Sequence, residues 1–208
     1  MKNDTKTEIV KKALELFSER GYDAVSVADI AAAVGIKAPS LYNHFKSKQE
    51  IFEAIVENTA RQYERDTDKM DIHVQSAETD FAAILPIGGA ALCEKVGQIF
   101  DYSLHDENIS RFRKMLTIEQ FRSEELGRLY TKRFVDRLID YHAEIFKALI
   151  KAGVICEADP NALALMYVSP VITLIGICDR EPQKEAECRK KLKDHVLLFY
   201  NMVQKERK

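Results

Sequence analysis

Apolar positions recur at helical spacing along nearly the whole chain, and no alternating run or hairpin turn signal argues for a sheet. The pattern predicts an all-α protein. Ile9, Val10, Ala13, Leu14 and Phe17 form one stripe of a helix over residues 6–20, with Thr5 as its cap and Glu8 closing a capping box. Residues 25–45 read as two short helices joined by a tight turn. Ser26 caps the first and Asp29 completes its box, with Val25 and Ile30 at the two staple positions. Ile30, Ala31 and Val34 give the buried stripe, and Gly35 suits a left-handed residue ending the helix. Pro39 lies in the first turn of the second helix, where its missing N–H costs nothing, and Leu41 and Phe45 anchor that helix. Ser47 with Glu50 opens a fourth helix that carries Ile51, Phe52, Ile55 and Val56 to about residue 65.

Residues 66–80, rich in Asp, Thr and Ser, read as a loop or frayed helix end. Helices follow over 87–104 and 109–117. A long one over 123–152 carries Leu126, Tyr130, Phe134, Leu138, Tyr141, Ile145 and Leu149, and Gly153 stops it. Asp159-Pro160 starts a helix over 160–177 that is apolar nearly all round. The last helix, over 184–204, puts Leu192, Val196, Phe199 and Val203 on one stripe. A helix needing cover on every face, near the end of a small all-α chain, points to a partner subunit on one side. The organisation expected is a three-helix N-terminal domain over 1–50 and a larger helical domain over 51–208.

Composition is that of an ordinary globular protein, with 46% apolar and 31% charged residues in 208. The net charge is −2, and residues 1–50 hold eight Lys or Arg against seven Asp or Glu. Any contact with DNA must therefore come from a local basic face, which argues against a non-specific nucleic-acid coat. A polar, charged N-terminus gives no secretory signal and leads us to expect a cytoplasmic protein. The charge-free run 161–178 contains Pro170 and reads as a core or interface helix, not a membrane span. Cys93, Cys156, Cys178 and Cys188 lack close pairing and read as reduced thiols.

Two short helices with a small, polar, aromatic face on the second outline a DNA-reading helix-turn-helix. Phe17, the Gly21-Tyr22 corner, Asp29-Ile30-Ala31 and Leu41-Tyr42-Asn43-His44-Phe45 followed by Lys46-Ser47-Lys48 together resemble the N-terminal domain of the TetR family of bacterial transcription regulators. The resemblance covers roughly residues 5–55. Lys37 stands where a capping Ser is more usual, and Ala38-Pro39 replaces a more polar pair. The resemblance implies a homodimer formed through the two C-terminal helices on a palindromic double-stranded operator. It further implies a repressor released by a small-molecule effector.

On that reading Lys37, Ser40, Asn43 and His44 face base edges, and Ala38 and Pro39 contact a thymine methyl. By resemblance, Tyr42, Lys46 and Lys48 contact phosphates. Ser26 and the amides after Ser47 add helix N-termini suited to a phosphate oxygen. Candidate effector-lining residues are Phe100, Phe112, Met115, Phe121, Tyr130, Phe134, Tyr141, Met166, Tyr167 and Thr173, whose aromatic character favours an apolar ligand. The plain alternative for each is ordinary core. Asp101 and His105, four apart with Cys93 or Glu94 behind them, could share a metal, but nothing supplies a third ligand. No catalytic motif appears, so neither enzyme activity nor a cofactor is expected. The rival reading is a co-activator or scaffold of the same fold acting through protein partners.

Overall fold

The structure is a computed structural model that describes residues 2–70 and 88–204. Its elements are helices: α1 (Lys2–Arg20), α2 (Val27–Val34), α3 (Ala38–Leu41), α4 (Lys48–Lys69), α5 (Gly89–His105), α6 (Glu107–Glu119), α7 (Glu124–Thr131), a π-helical turn (Lys132–Asp136), α8 (Arg137–Lys151), α9 (Pro160–Arg180) and α10 (Glu185–Val203). A single antiparallel bridge joins Ile155 to Gln204. The loop expected over 71–80 and the helix start at Ile87 lie outside the described residues.

Several boundaries differ from the sequence pattern. α1 begins before Thr5, so the expected cap lies inside the helix. α4 runs on to Lys69, past the expected end. The long helix over 123–152 is interrupted by the π turn, which shifts the phase of its apolar stripe. Gly153, at φ 70, stops it as expected. Asp159 accepts from the Asn161 N–H at 3.0 Å, with Pro160 at the first helical position.

The contacts divide the chain into two compact units. The first comprises residues 1–63 and 107–130, so α6 and α7 pack with the N-terminal helices although their sequence lies beyond residue 50. Its core contains Ile9, Ala13, Phe17, Ile30, Leu41, Phe45, Ile51, Ile55, Phe112, Met115 and Leu116, all at most 1% exposed. Arg111 ties α6 to α1 through Glu15 at 3.1 Å.

The second unit holds the described residues of 64–106 and 131–208. One apolar cluster joins α8, α9 and α10 around Phe146, Leu149, Ala164, Tyr167, Val168, Phe199 and Val203. Another joins α5 to the same two C-terminal helices around Phe100, Leu174, Cys178, Cys188, Leu192 and Val196. Tyr167 sits at 5.0 Å from the Phe199 ring and 5.8 Å from the Phe146 ring, and burial pushes its hydroxyl pKa up. α9 is long and apolar enough to cross a membrane by length and composition. Within this unit, however, it buries Leu163, Ala164, Tyr167, Val168, Leu174 and Cys178 against its neighbours. Asp101 and His105 each find a partner on α10. Asp101 accepts from Arg189, and His105 Nε2 lies 3.0 Å from Glu185, which also accepts from Arg189 at 2.9 Å. Both side chains belong to a polar network with α10, and the described residues contain no metal-ligating cluster.

Candidate nucleic-acid interface

The helix-turn-helix is assembled by short-range rules. The Ser26 hydroxyl accepts the Asp29 N–H at 3.1 Å and donates to the Asp29 carboxylate at 2.6 Å. That carboxylate also accepts the Ser26 N–H at 2.8 Å, completing the box. These bonds, the hydroxyl's first, hold the Asp29 pKa below its ordinary value. Val25 and Ile30 are both buried at the staple positions. At the other end Gly35 adopts φ 77, and two bonds satisfy the helix carbonyls: Ile36 N–H to Ala31 at 2.9 Å and Gly35 N–H to Ala32 at 3.1 Å.

The second helix is shorter than expected. Lys37 stands at its N-cap without a side-chain cap bond, and α-helical geometry ends at Leu41. The chain then tightens into three-residue bonds, Asn43 N–H to Ser40 at 3.3 Å and His44 N–H to Leu41 at 2.8 Å. Ser, Asn and His are weak helix formers, which fits so short an element. Leu41 and Phe45 are nevertheless sealed into the core, as expected. Lys37, Pro39, Ser40, Tyr42, Asn43 and Lys46 are exposed, while Ala38 and His44 are half-buried. Tyr42 is 53% exposed, unusual for an aromatic with core on one side of its own turn.

Two expected phosphate contacts are otherwise engaged. The Lys48 ammonium donates to the carbonyls of Tyr22 at 2.9 Å and Val25 at 3.1 Å, and lies 4.2 Å over the Tyr22 ring. The Ser26 hydroxyl is spent within its box. At the start of α4, the Ser47 hydroxyl accepts the Glu50 N–H at 3.1 Å, as a cap should. The Glu50 carboxylate, however, takes the Lys46 N–H at 2.6 Å.

The Gly21-Tyr22 corner is held from several sides. Tyr22 packs between Phe17, tilted at 5.1 Å, and Phe52, edge to face at 5.3 Å, and its hydroxyl donates to Gln49 at 3.1 Å. Glu119, at the end of α6 and wholly buried, accepts the Tyr22 N–H at 3.0 Å through Oε1. Among the described residues its Oε2 has no hydrogen-bond partner. Sequence reasoning missed Glu119 because the contact joins positions 97 apart. Lys6 was missed for the same reason: its ammonium lies 4.9 Å from the centre of the Phe45 ring.

The expected effector-lining residues are spread over both units. In the first, Phe112 and Met115 are plain core, Phe121 is 92% exposed and Tyr130 is half-buried. In the second, Phe100 and Tyr167 are buried, Phe134 and Tyr141 half-buried, and Met166 and Thr173 exposed. A groove of about 300 Å³ in the first unit is lined by Gln49, Phe52, Glu53, Val56, Glu57, Ala60, Glu125 and Leu129, and by none of the ten expected residues.

Comparison with known proteins places this geometry. The family model described as bacterial regulatory proteins, tetR family, matches residues 9–55. A negative transcriptional regulator of the biofilm operon icaADBC, IcaR of Staphylococcus epidermidis, is 47% identical over 53 residues, 26% of this chain and 29% of that protein. The match thus spans less than a third of that relative's length. Among solved structures, the SmeT–triclosan complex superposes with a TM-score of 0.70 at 21% identity, covering 98% of this chain and 93% of that one. SmeT is the repressor of a multidrug efflux pump in Stenotrophomonas maltophilia. NalD, the secondary repressor of an efflux pump in Pseudomonas aeruginosa, gives 0.65 at 20% identity over the full length of both chains. At such identities these structures establish a shared fold. Residues 9–55 of this chain thus match the tetR-family model, and the chain shares the helical fold of the solved TetR-family structures.

Proposed function

We propose that this chain is a sequence-specific DNA-binding transcriptional regulator, a homodimeric repressor that reads a palindromic operator and is released by a small, largely apolar ligand. One observation carries the reading. Lys37, Pro39, Ser40, Tyr42 and Asn43 stand exposed together on a turn whose other side, Leu41 and Phe45, is fixed in the core. A backbone held this way presents these side chains without itself having to fold on binding, as base readout requires. Asn43 is suited to adenine, Lys37 to guanine, Ala38 and Pro39 to a thymine methyl, and Tyr42 and Lys46 to phosphates.

The dimer is supported by Leu165 and Met166 on α9 and Leu198 and Met202 on α10, each at least half exposed. A second copy packed there would cover them. Repression is supported by IcaR, SmeT and NalD, and ligand release by the triclosan bound to SmeT. The experiment is selection of binding sites from a random duplex pool by the purified protein. A palindromic consensus is the expected result. No enrichment at any salt overturns the reading and moves the protein-partner scaffold to the front.

A further inference from the structure

The surface around the recognition turn carries a cation outside the expected set. Lys6 is exposed on α1, and its ammonium rests 4.9 Å from the centre of the Phe45 ring. Phe45 is buried and is followed directly by the exposed Lys46, so a second lysine stands at the end of the turn that bears Ser40, Tyr42 and Asn43. Among the described residues neither has a carboxylate partner, whereas Lys12, Lys69, Lys147, Lys184, Lys190 and Lys191 each have one.

Lys48 is differently placed. An ammonium has three donors. Two of those on Lys48 go to the Tyr22 and Val25 carbonyls, and the ring of Tyr22 covers the group. These bonds hold Lys48 in place and leave one of its donors over for a phosphate. Lys6 gives up only a cation–π contact at an exposed site, the weakest form of that interaction. Until DNA arrives, the Phe45 ring limits where its ammonium can wander, which lowers the ordering cost of binding.

We infer that Lys6 is a phosphate-contacting residue of the reading head and acts with Lys46 in gripping the duplex backbone beside the recognition turn. This rests on the DNA-binding reading above.

The test uses the full chain and Lys6→Met and Lys6→Arg variants. Each is titrated against the selected duplex and an unrelated one across roughly 50–200 mM salt, with thermal midpoints as a folding control. Lys6→Met keeps an apolar stem over Phe45 and removes only the charge. It is expected to weaken both duplexes by a similar factor. The slope of log affinity against log salt should fall in magnitude by about 0.9 per reading head, or about 1.8 for a two-headed dimer. Lys6→Arg should keep the wild-type slope. A wild-type slope in Lys6→Met overturns the inference and leaves Lys6 as a lid over Phe45. If the wild-type chain shows no salt-dependent duplex binding, the DNA reading itself fails, a result distinct from that one.

Discussion

Lys48 donates to the carbonyl oxygen of Tyr22 at 2.9 Å while its ammonium lies 4.2 Å over the same residue's ring. The start of α4 is thereby fastened to the corner between α1 and α2, and the third contact, to Val25, sits just before the α2 cap. Replacing Lys48 by Met removes two charge-assisted bonds and leaves their carbonyls without that donor. We expect a loss of about 1–3 kcal/mol in stability, read by urea denaturation. An unchanged midpoint would show that water replaces the ammonium without penalty.

Gly21 and Gly35 both adopt positive φ, at 85 and 77, but their surroundings differ. A Cβ at Gly35 meets nothing within 4 Å, whereas one at Gly21 would collide with the Glu119 carboxylate. Gly35→Ala should cost about 1–2 kcal/mol from backbone strain alone. Gly21→Ala should cost distinctly more, because the carboxylate must also withdraw from the Tyr22 N–H. Thermal unfolding of the two variants side by side checks the order.

The contrast marks what was legible in the sequence. The Ser26–Asp29 box, the Gly35 stop and the Asp159-Pro160 start rest on neighbours within a turn, and each appears as the pattern predicts. Leu41 and Phe45 are buried as their spacing implies. The Lys48–Tyr22 and Glu119–Tyr22 bonds join residues 26 and 97 apart, and no local rule reaches that far. The π turn at Lys132–Asp136 is equally silent in the sequence, since a stripe of apolar residues fits both a straight helix and an interrupted one. Phe121, almost wholly exposed, runs against the general preference of aromatics for burial.

Acid should weaken the helix-turn-helix through Asp29. Its folded pKa is held below the ordinary 3.8, first by the Ser26 hydroxyl and then by the Ser26 N–H. The stabilisation is complete above that ordinary value and disappears as pH falls through the lower folded one. Ser26→Ala should therefore be less stable at neutral pH, and below about pH 4 its stability should fall less steeply than that of the wild type. Urea midpoints over an acid series test this, and parallel curves would contradict it.

Asn43→Ala should weaken binding to the selected operator by about 1–3 kcal/mol and relax selectivity at a single base position. Tyr42→Ala should instead weaken all duplexes alike. Competition binding against single-base variants of the operator separates the two patterns.

Leu198→Glu places a carboxylate in the exposed apolar set of α9 and α10 without touching a buried position. The expected result is a monomer in sedimentation equilibrium, with helix content retained. A dimer of wild-type affinity would remove this surface from consideration.

Cys178 and Cys188 are buried within the α5–α9–α10 cluster. Burial, and then the hydrogen bond with Cys188, push the Cys178 thiol up to about 12, so it stays protonated and chemically quiet while the helices are closed. The pair is consequently a built-in stopwatch. An alkylating reagent reaches these sulfurs only when α9 and α10 part, and the labelling rate under native conditions counts those openings. Cys156, half-buried outside that cluster, provides the internal reference for reagent access.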